Sequence, residues 1–349
     1  MLAYLLLFAC IIILPNFKQI SKKKYCIFIG ILMSLLVGFR ETSLGINDTE
    51  QVYHVIFEKL SSLTMSETIN YLRLKDYELI FYVLTRFLLF ITENFRIYLL
   101  LLSISINASV SYFIYKNSKL PSISFIIYVS LNFFAHSFFL LRHSVALAIL
   151  LFAYEFAKKR DFKKFLLLVL LASCFHRTAI IFIIIYFIKN FKSGYKNTII
   201  LIVSLLVSLL IGSNILKIIL SLINSEHYLH YMNAEGSNLT LYFIYMVIYL
   251  FVVIFIPQYK ENKENMFLLN IYTIGASISS CMYFIGEAGR LSEFFAIFVI
   301  LFLPNALSKV NNEANKKIYI LICTLIFIMY FFLFSMVDNN IYPYKFGGF

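Results

Sequence analysis

Apolar residues along this chain come in long blocks separated by short charged loops. Phe165–Ile188 is one block, interrupted only by Ser173, His176, Arg177 and Thr178. The others are Tyr25–Phe39, Phe95–Tyr115, Leu120–Leu141, Ser144–Ala157, Thr198–Leu216, Leu241–Ile256, Met266–Ile285, Phe294–Leu307 and Ile318–Phe334. A helix needs about 20 apolar residues to cross a bilayer, and about 17 at the short end. The pattern predicts an all-α, polytopic transmembrane bundle of roughly 10–12 membrane segments, with the shorter blocks as tilted or half-spans. Met1–Pro15 reads as a retained first helix, because its positive charges (Lys18, Lys22–Lys24) follow the apolar run, whereas a cleaved signal peptide carries them before it.

One stretch has a different period. Val52, Ile56 and Leu60 recur at helical spacing with Tyr53 and Phe57 beside them, which predicts a short amphipathic helix lying on the outer surface of the membrane. Asp48 with Gln51 is expected to cap it.

Composition agrees with the blocks. Of 349 residues, 61% are hydrophobic and 14% charged, and the mean hydropathy is +0.84. A single soluble core cannot hold that much apolar surface. With no repeat and no low-complexity linker, residues 1–349 are expected to form one membrane domain that includes an outer segment, 40–76, and an outer loop, 224–240. The five cysteines all fall in apolar blocks without metal spacing and are expected to be buried packing residues.

The net charge of +12 suggests nucleic acid until its distribution is seen. Six short loops (18–24, 116–119, 158–164, 189–196, 260–263 and 309–317) hold 18 of the 22 lysines but only one of the eight arginines, Arg160. This is the positive-inside pattern of cytoplasmic loops and speaks against a nucleic-acid partner. It puts the N-terminus, the 40–76 segment, Gly286–Glu293 and the tail from Ser335 on the outer side. Two blocks then break the alternation of sides. The parity is restored if Tyr77–Ile91 is a half-span and Phe165–Ile188 is two short helices meeting at His176. Polar backbone at membrane depth has to be buried in protein or line a watery cavity, so an outward-facing cavity is expected there.

The arginines outside the lysine loops are then the candidates for chemistry, since arginine is the better bidentate partner for phosphate and carboxylate. Arg142, flanked by His136 and His143, begins a helix within apolar sequence. It is either an interfacial arginine or an anion ligand beside helix N-terminal amides. His176 and Arg177 lie at the centre of a block long enough to span. Arg290 sits in Gly286-Glu287-Ala288-Gly289-Arg290, either a plain outer turn or a place where backbone approaches a ligand. Arg40 and Asp48 bracket Gly45. Glu78 opens the half-span and pairs with an arginine such as Arg86 or acts on substrate. His227 and His230 lack a third ligand for zinc, so no metal is expected. These groups suit a lipid-linked pyrophosphate. The arginines would stabilise charge on the departing pyrophosphate and a carboxylate or histidine would deprotonate a sugar hydroxyl.

The order Arg40…Gly45…Asp48…Tyr53, Glu78, Arg142 with Ala146, Phe175-His176-Arg177-Thr178-Ala179, Arg290 and Pro343-Tyr344 resembles the EpsG/Wzy family of polysaccharide repeat-unit polymerases, over roughly Arg40 to Tyr344. The chain departs from that pattern at His143, where the family usually has Gln, and at Arg177, where it often has Lys or a small polar residue. The resemblance implies an enzyme of O-antigen or exopolysaccharide synthesis in the bacterial inner membrane, its active site facing the periplasm or exterior. It would transfer a growing glycan from undecaprenyl pyrophosphate to an incoming lipid-linked repeat unit, without cofactor or metal. The partners implied are the undecaprenyl-pyrophosphate-linked oligosaccharide, the bilayer and a chain-length regulator protein. Arg142 and Arg290 are the implied pyrophosphate ligands, with Arg40 and Arg177 near them. His176 is in the site, and Asp48 or Glu78 is the candidate base. The rivals are a lipid-linked oligosaccharide flippase, which should show paired halves, and another membrane transferase such as an O-antigen ligase or an acyltransferase using His176.

Overall fold

The computed structural model describes residues 1–45, 48–74, 79–189, 191, 194–223, 239–283 and 288–347, with the side chains of 73–74 and 213–223 set aside. The described residues are helical almost throughout, and their one β-bridge pairs Arg40 with Phe346. Among the described residues, five helices are long and apolar enough to cross a membrane and five more are apolar but shorter, so this is an all-α polytopic membrane protein. It divides into two compact units: residues 1–183 with 317–349, and residues 184–316. Neither boundary is marked by a linker in the sequence, because each falls within helical structure.

The first unit contains α1 (Leu2–Ile13), α2 (Lys22–Gly38), α3 (Val55–Ser61), α4 (Met65–Leu74), α5 (Leu79–Leu88), α6 (Phe95–Asn117), α7 (Pro121–Ser130), α8 (Phe133–His136), α9 (Leu141–Lys159) and α10 (Phe162–Phe175). It also takes most of the last long helix, Glu313–Tyr330. Helices α2 and α6 lie unusually close because Gly30, Ser34 and Gly38 recur every fourth residue of α2. Small residues let helix backbones approach where apolar burial offers no preference over lipid. A Cβ at Gly38 would reach the Leu100 Cα at 2.9 Å, and Ser103 Oγ donates to Ser34 O at 2.7 Å across the seam.

Most of the lysines and most of the arginines lie at opposite ends of this unit, with Arg160 and Lys345 as exceptions. At one end Lys22 Nζ donates to Ser118 O at 2.7 Å, Lys158 Nζ to Asn117 Oδ1 at 3.4 Å, and Lys116 pairs with Glu155 at 2.9 Å. At the other end, about 30 Å away along α6 at 1.5 Å per residue, Arg96 Nη1 donates to Arg40 O at 2.9 Å.

Both expected breaks in the span pattern are present. Helix α5 has 10 residues, so it reaches only about 15 Å. Helix α10 stops at His176, whose backbone is extended (φ −152°, ψ 112°), and Arg177–Ile184 continues as a tight 3-10 helix. The chain doubles back there, since the Phe182 ring returns to that of Phe165 with centroids 6.4 Å apart.

Three expectations need correction. Leu120–Leu141 is not one span, because Asn132 adopts left-handed backbone (φ 69°) and separates α7 from α8. Asp48 does not cap the amphipathic helix: its own backbone is already right-handed helical, its side chain makes no capping bond, and the chain passes through a π-helical turn (Thr49–His54) into α3. Cys174 is exposed, not buried. The amphipathic stripe itself is real. Tyr53, Ile56, Phe57 and Leu60 are buried, with Tyr53 against Phe81 and Phe57 against Phe95 and Tyr98, so its apolar face is covered by protein.

The second unit holds α11 (Ile185–Ile188), α12 (Tyr195–Ile223), α13 (Thr240–Phe255), α14 (Lys263–Ser279), α15 (Ala288–Ala296) and α16 (Val299–Leu307). The block Phe294–Leu307 is divided between α15 and α16, and nearly all of it is buried. Tyr272 stacks on Phe302 with centroids 5.0 Å apart and donates to Tyr245 O at 2.7 Å. Asn197 donates to Asn270 and Thr273 at 3.2 and 2.8 Å, tying α12 to α14. Gly275 allows α14 and α15 to touch backbone to backbone, with Ser292 Oγ donating to Gly275 O at 2.8 Å. A Cβ there would collide with the backbone of Ala296. Gly275→Ala should therefore lower the stability of the purified protein by about 1–3 kcal/mol, the usual cost of overpacking, read as a drop in melting temperature; an unchanged melting temperature would contradict this packing.

Candidate functional site

Helices α9 and α10 form a tight antiparallel hairpin at the lysine end. Arg160 takes left-handed backbone (φ 62°) to close α9, and Asp161 caps α10 by accepting the Lys164 N–H at 3.2 Å. A hairpin of this kind sets the start of one helix beside the end of the next, so Leu141–Ser144 and Phe175–Arg177 meet at the opposite end. The His143 and His176 rings stand edge to face, with centroids 5.3 Å apart. His143 is buried, His176 half-buried and Arg177 exposed.

Arg142 occupies the first turn of α9, whose N-terminus carries no side-chain cap. Its Nε donates to Tyr53 Oη at 3.4 Å, and its guanidinium lies over the Tyr53 and Tyr82 rings at 6.0 and 5.9 Å. Those rings come from the π-helical turn and from the short helix α5. Four separate elements thus converge on Arg142, His143 and His176. Aromatic faces hold a guanidinium in place without consuming its hydrogen-bond donors, and an uncapped helix start adds amides directed at the same space. The arrangement offers a cation, helix N-terminal donors and imidazoles, which is the equipment for gripping an oxyanion and moving a proton.

Arg40 is placed differently. It is completely buried, donates to Val37 O, Thr49 Oγ1 and Phe138 O, and lies over the Phe138 ring at 5.4 Å. Thr49 Oγ1 also donates to Phe138 O, at 3.0 Å. The guanidinium joins the end of α2, the π-helical turn and the segment before α9, so it positions the elements that carry Tyr53 and Arg142.

The C-terminal tail closes the same end. Glu41 N donates to Lys345 O at 2.9 Å, Gly347 N to Phe39 O at 3.0 Å, and Gly45 N to Asn340 O at 2.9 Å. Tyr344 Oη donates to Leu36 O and Tyr4 Oη to Ile341 O, both at 2.9 Å. Burial pushes the Tyr344 hydroxyl up to about 12, while Arg40 pulls the other way, so it remains a proton donor at neutral pH. The Pro343-Tyr344 motif is therefore a strap over the segment that begins at Arg40.

The remaining candidates are more scattered. Asp48 is half-buried at the start of the π-helical turn. Arg290 is half-buried in the first turn of α15 and belongs to the second unit. Gly289 lies against Met282, 3.1 Å from where its Cβ would stand. Glu78, Glu287, His227 and His230 lie outside the described residues. Among the described residues, no three His, Cys, Asp or Glu gather as a metal site. The sequence candidates did not include Tyr82 or Glu293, the last a buried carboxylate one turn after Arg290, and named His143 only as a neighbour of Arg142 and a departure from the family pattern. The available signal for His143 was its place beside Arg142. That for Glu293 was its place one turn after Arg290, at the edge of the apolar block Phe294–Leu307.

The sequence model of the EpsG family matches residues 23–346, nearly the whole chain. No curated protein and no solved structure matches it.

Proposed function

The chain belongs to the EpsG family, which makes a polysaccharide polymerase the coarse reading, and from that premise we propose a specific reaction: polymerisation of lipid-linked repeat units at the outer face of the bacterial inner membrane. The growing glycan leaves undecaprenyl pyrophosphate and joins an incoming undecaprenyl-pyrophosphate-linked repeat unit. The carrying observation is the reversal at His176, which sets that imidazole against His143 beside Arg142 and the uncapped start of α9. The lysine-rich end is cytoplasmic by the positive-inside rule, so the arginine-rich end faces out.

In this reading Arg142 and the α9 amides bind the pyrophosphate and stabilise the charge it gains as the anomeric C–O bond breaks. Arg290 is the other arginine that the family resemblance assigns to pyrophosphate. His176 or Asp48 takes the proton of the attacking sugar hydroxyl, and Glu78 is the other carboxylate candidate. The energy of the departing pyrophosphate drives the transfer, so neither nucleotide sugar nor metal is required. A chain-length regulator is the protein partner this reaction would use.

Deleting the gene should leave surface lipid capped with a single repeat unit and no long chains. Long chains of normal length would sink the reading. Precursor held on the cytoplasmic face would favour a transporter.

A further inference from the structure

An open groove lies at the lysine end of the first unit. Helices α6 and α9 flank this groove of about 520 Å³, lined by Tyr112, Lys116, Phe152, Glu155 and Lys159 among others. Its apolar floor is the Tyr112–Phe152 stack, centroids 5.9 Å apart and planes 25° apart. Both rings remain substantially exposed, at 48% and 38%. The polar groups lie at one end of this floor. Lys116 Nζ is 2.9 Å from Glu155 Oε2 and lies over the Tyr112 ring at 5.9 Å. Lys159 is exposed at the rim. Glu155 is 7% exposed, and Lys116, the Asn117 side chain and the charge of Lys158 all hold its carboxylate.

We infer that this groove binds a phosphatidylglycerol-type anionic phospholipid. Charge decides the class of headgroup. Lys116, Lys158 and Lys159 outweigh Glu155, and an anionic headgroup offsets that excess of positive charge, which matters where water is scarce. The aromatic floor accepts the start of an acyl chain, and basic pockets between spans at the cytoplasmic surface are suited to anionic headgroups. This site is separate from the Arg142 end and does not depend on the polymerase reading.

The test is native mass spectrometry of the purified full chain in detergent, titrated with phosphatidylglycerol or with phosphatidylethanolamine of the same acyl chains. Phosphatidylglycerol adducts should be retained in preference. Lys159→Gln, at an exposed position that should not disturb folding, should weaken their retention about fivefold. Lys163→Gln, an exposed lysine in the first turn of α10 and outside the groove, should leave it unchanged. Equal retention of the two lipids, retention of neither, an unchanged Lys159→Gln, or an equal loss in Lys163→Gln would each overturn the assignment.

Discussion

Arg142→Ala should abolish chain growth while leaving the protein at its normal level in the membrane. The side chain is half-buried at the surface of the site, with a long hydrogen bond to Tyr53 and two aromatic faces among its contacts. Truncation removes the cation at the uncapped start of α9. Loss of one group that stabilises charge developing in a transition state costs about 100- to 1000-fold in rate, enough to leave only single-repeat products. Arg290→Ala should do the same if the second guanidinium shares the pyrophosphate. The measurement is the length distribution of surface glycan in a deletion strain carrying each variant, with protein level followed by an epitope tag. Wild-type lengths in both variants would remove these arginines from the mechanism.

Arg40→Ala should fail in the opposite way, by losing the protein itself. Its guanidinium is fully buried and bonds to Val37, Thr49 and Phe138 on three separate segments. Hydrogen bonds to a charged group contribute about 1.5–3 kcal/mol each, and truncation would remove the guanidinium's bonds to Val37 O, Thr49 Oγ1 and Phe138 O, leaving Phe138 O with Thr49 alone. A loss of more than about 3 kcal/mol is expected, seen as a lower melting temperature and reduced accumulation. Arg40→Lys should not rescue it, because an ammonium cannot match the planar fork. Normal melting with lost polymerisation would instead return Arg40 to the substrate site. The two arginines share one sequence motif order, yet the structure separates them into a strut and a candidate ligand.

This contrast shows how far the sequence could be read. The apolar blocks and lysine loops gave the all-α membrane fold and the segregation of charge to two ends, because bilayer thickness and the positive-inside rule act on composition alone. The break at His176 was legible from parity, since a 24-residue block had to begin and end on the same side. The break at Asn132 was not, because Leu120–Leu141 obeys the parity rule whether or not it bends, and left-handed backbone at one asparagine leaves no hydropathy signal. The Gly30-Ser34-Gly38 spacing was visible as letters, but its partner, Ser103 to Ser111 on α6, required the fold. The same holds for the site. Arg142 and His176 stood out as costly residues in apolar sequence, whereas Tyr53 and Tyr82 resemble any core aromatics until α5 and the π-helical turn bring them to the guanidinium. Arg40 looked like Arg142 because burial by the C-terminal strap, some 300 residues further along the chain, cannot be inferred from its neighbours.

The most direct measurement is reconstitution of the purified protein in lipid vesicles supplied only with an undecaprenyl-pyrophosphate-linked repeat unit. The account predicts a ladder of products lengthening by one repeat at a time, with release of undecaprenyl pyrophosphate and no need for a nucleotide sugar. Product that stays at a single repeat unit, or that lengthens only when nucleotide sugar is added, would contradict it.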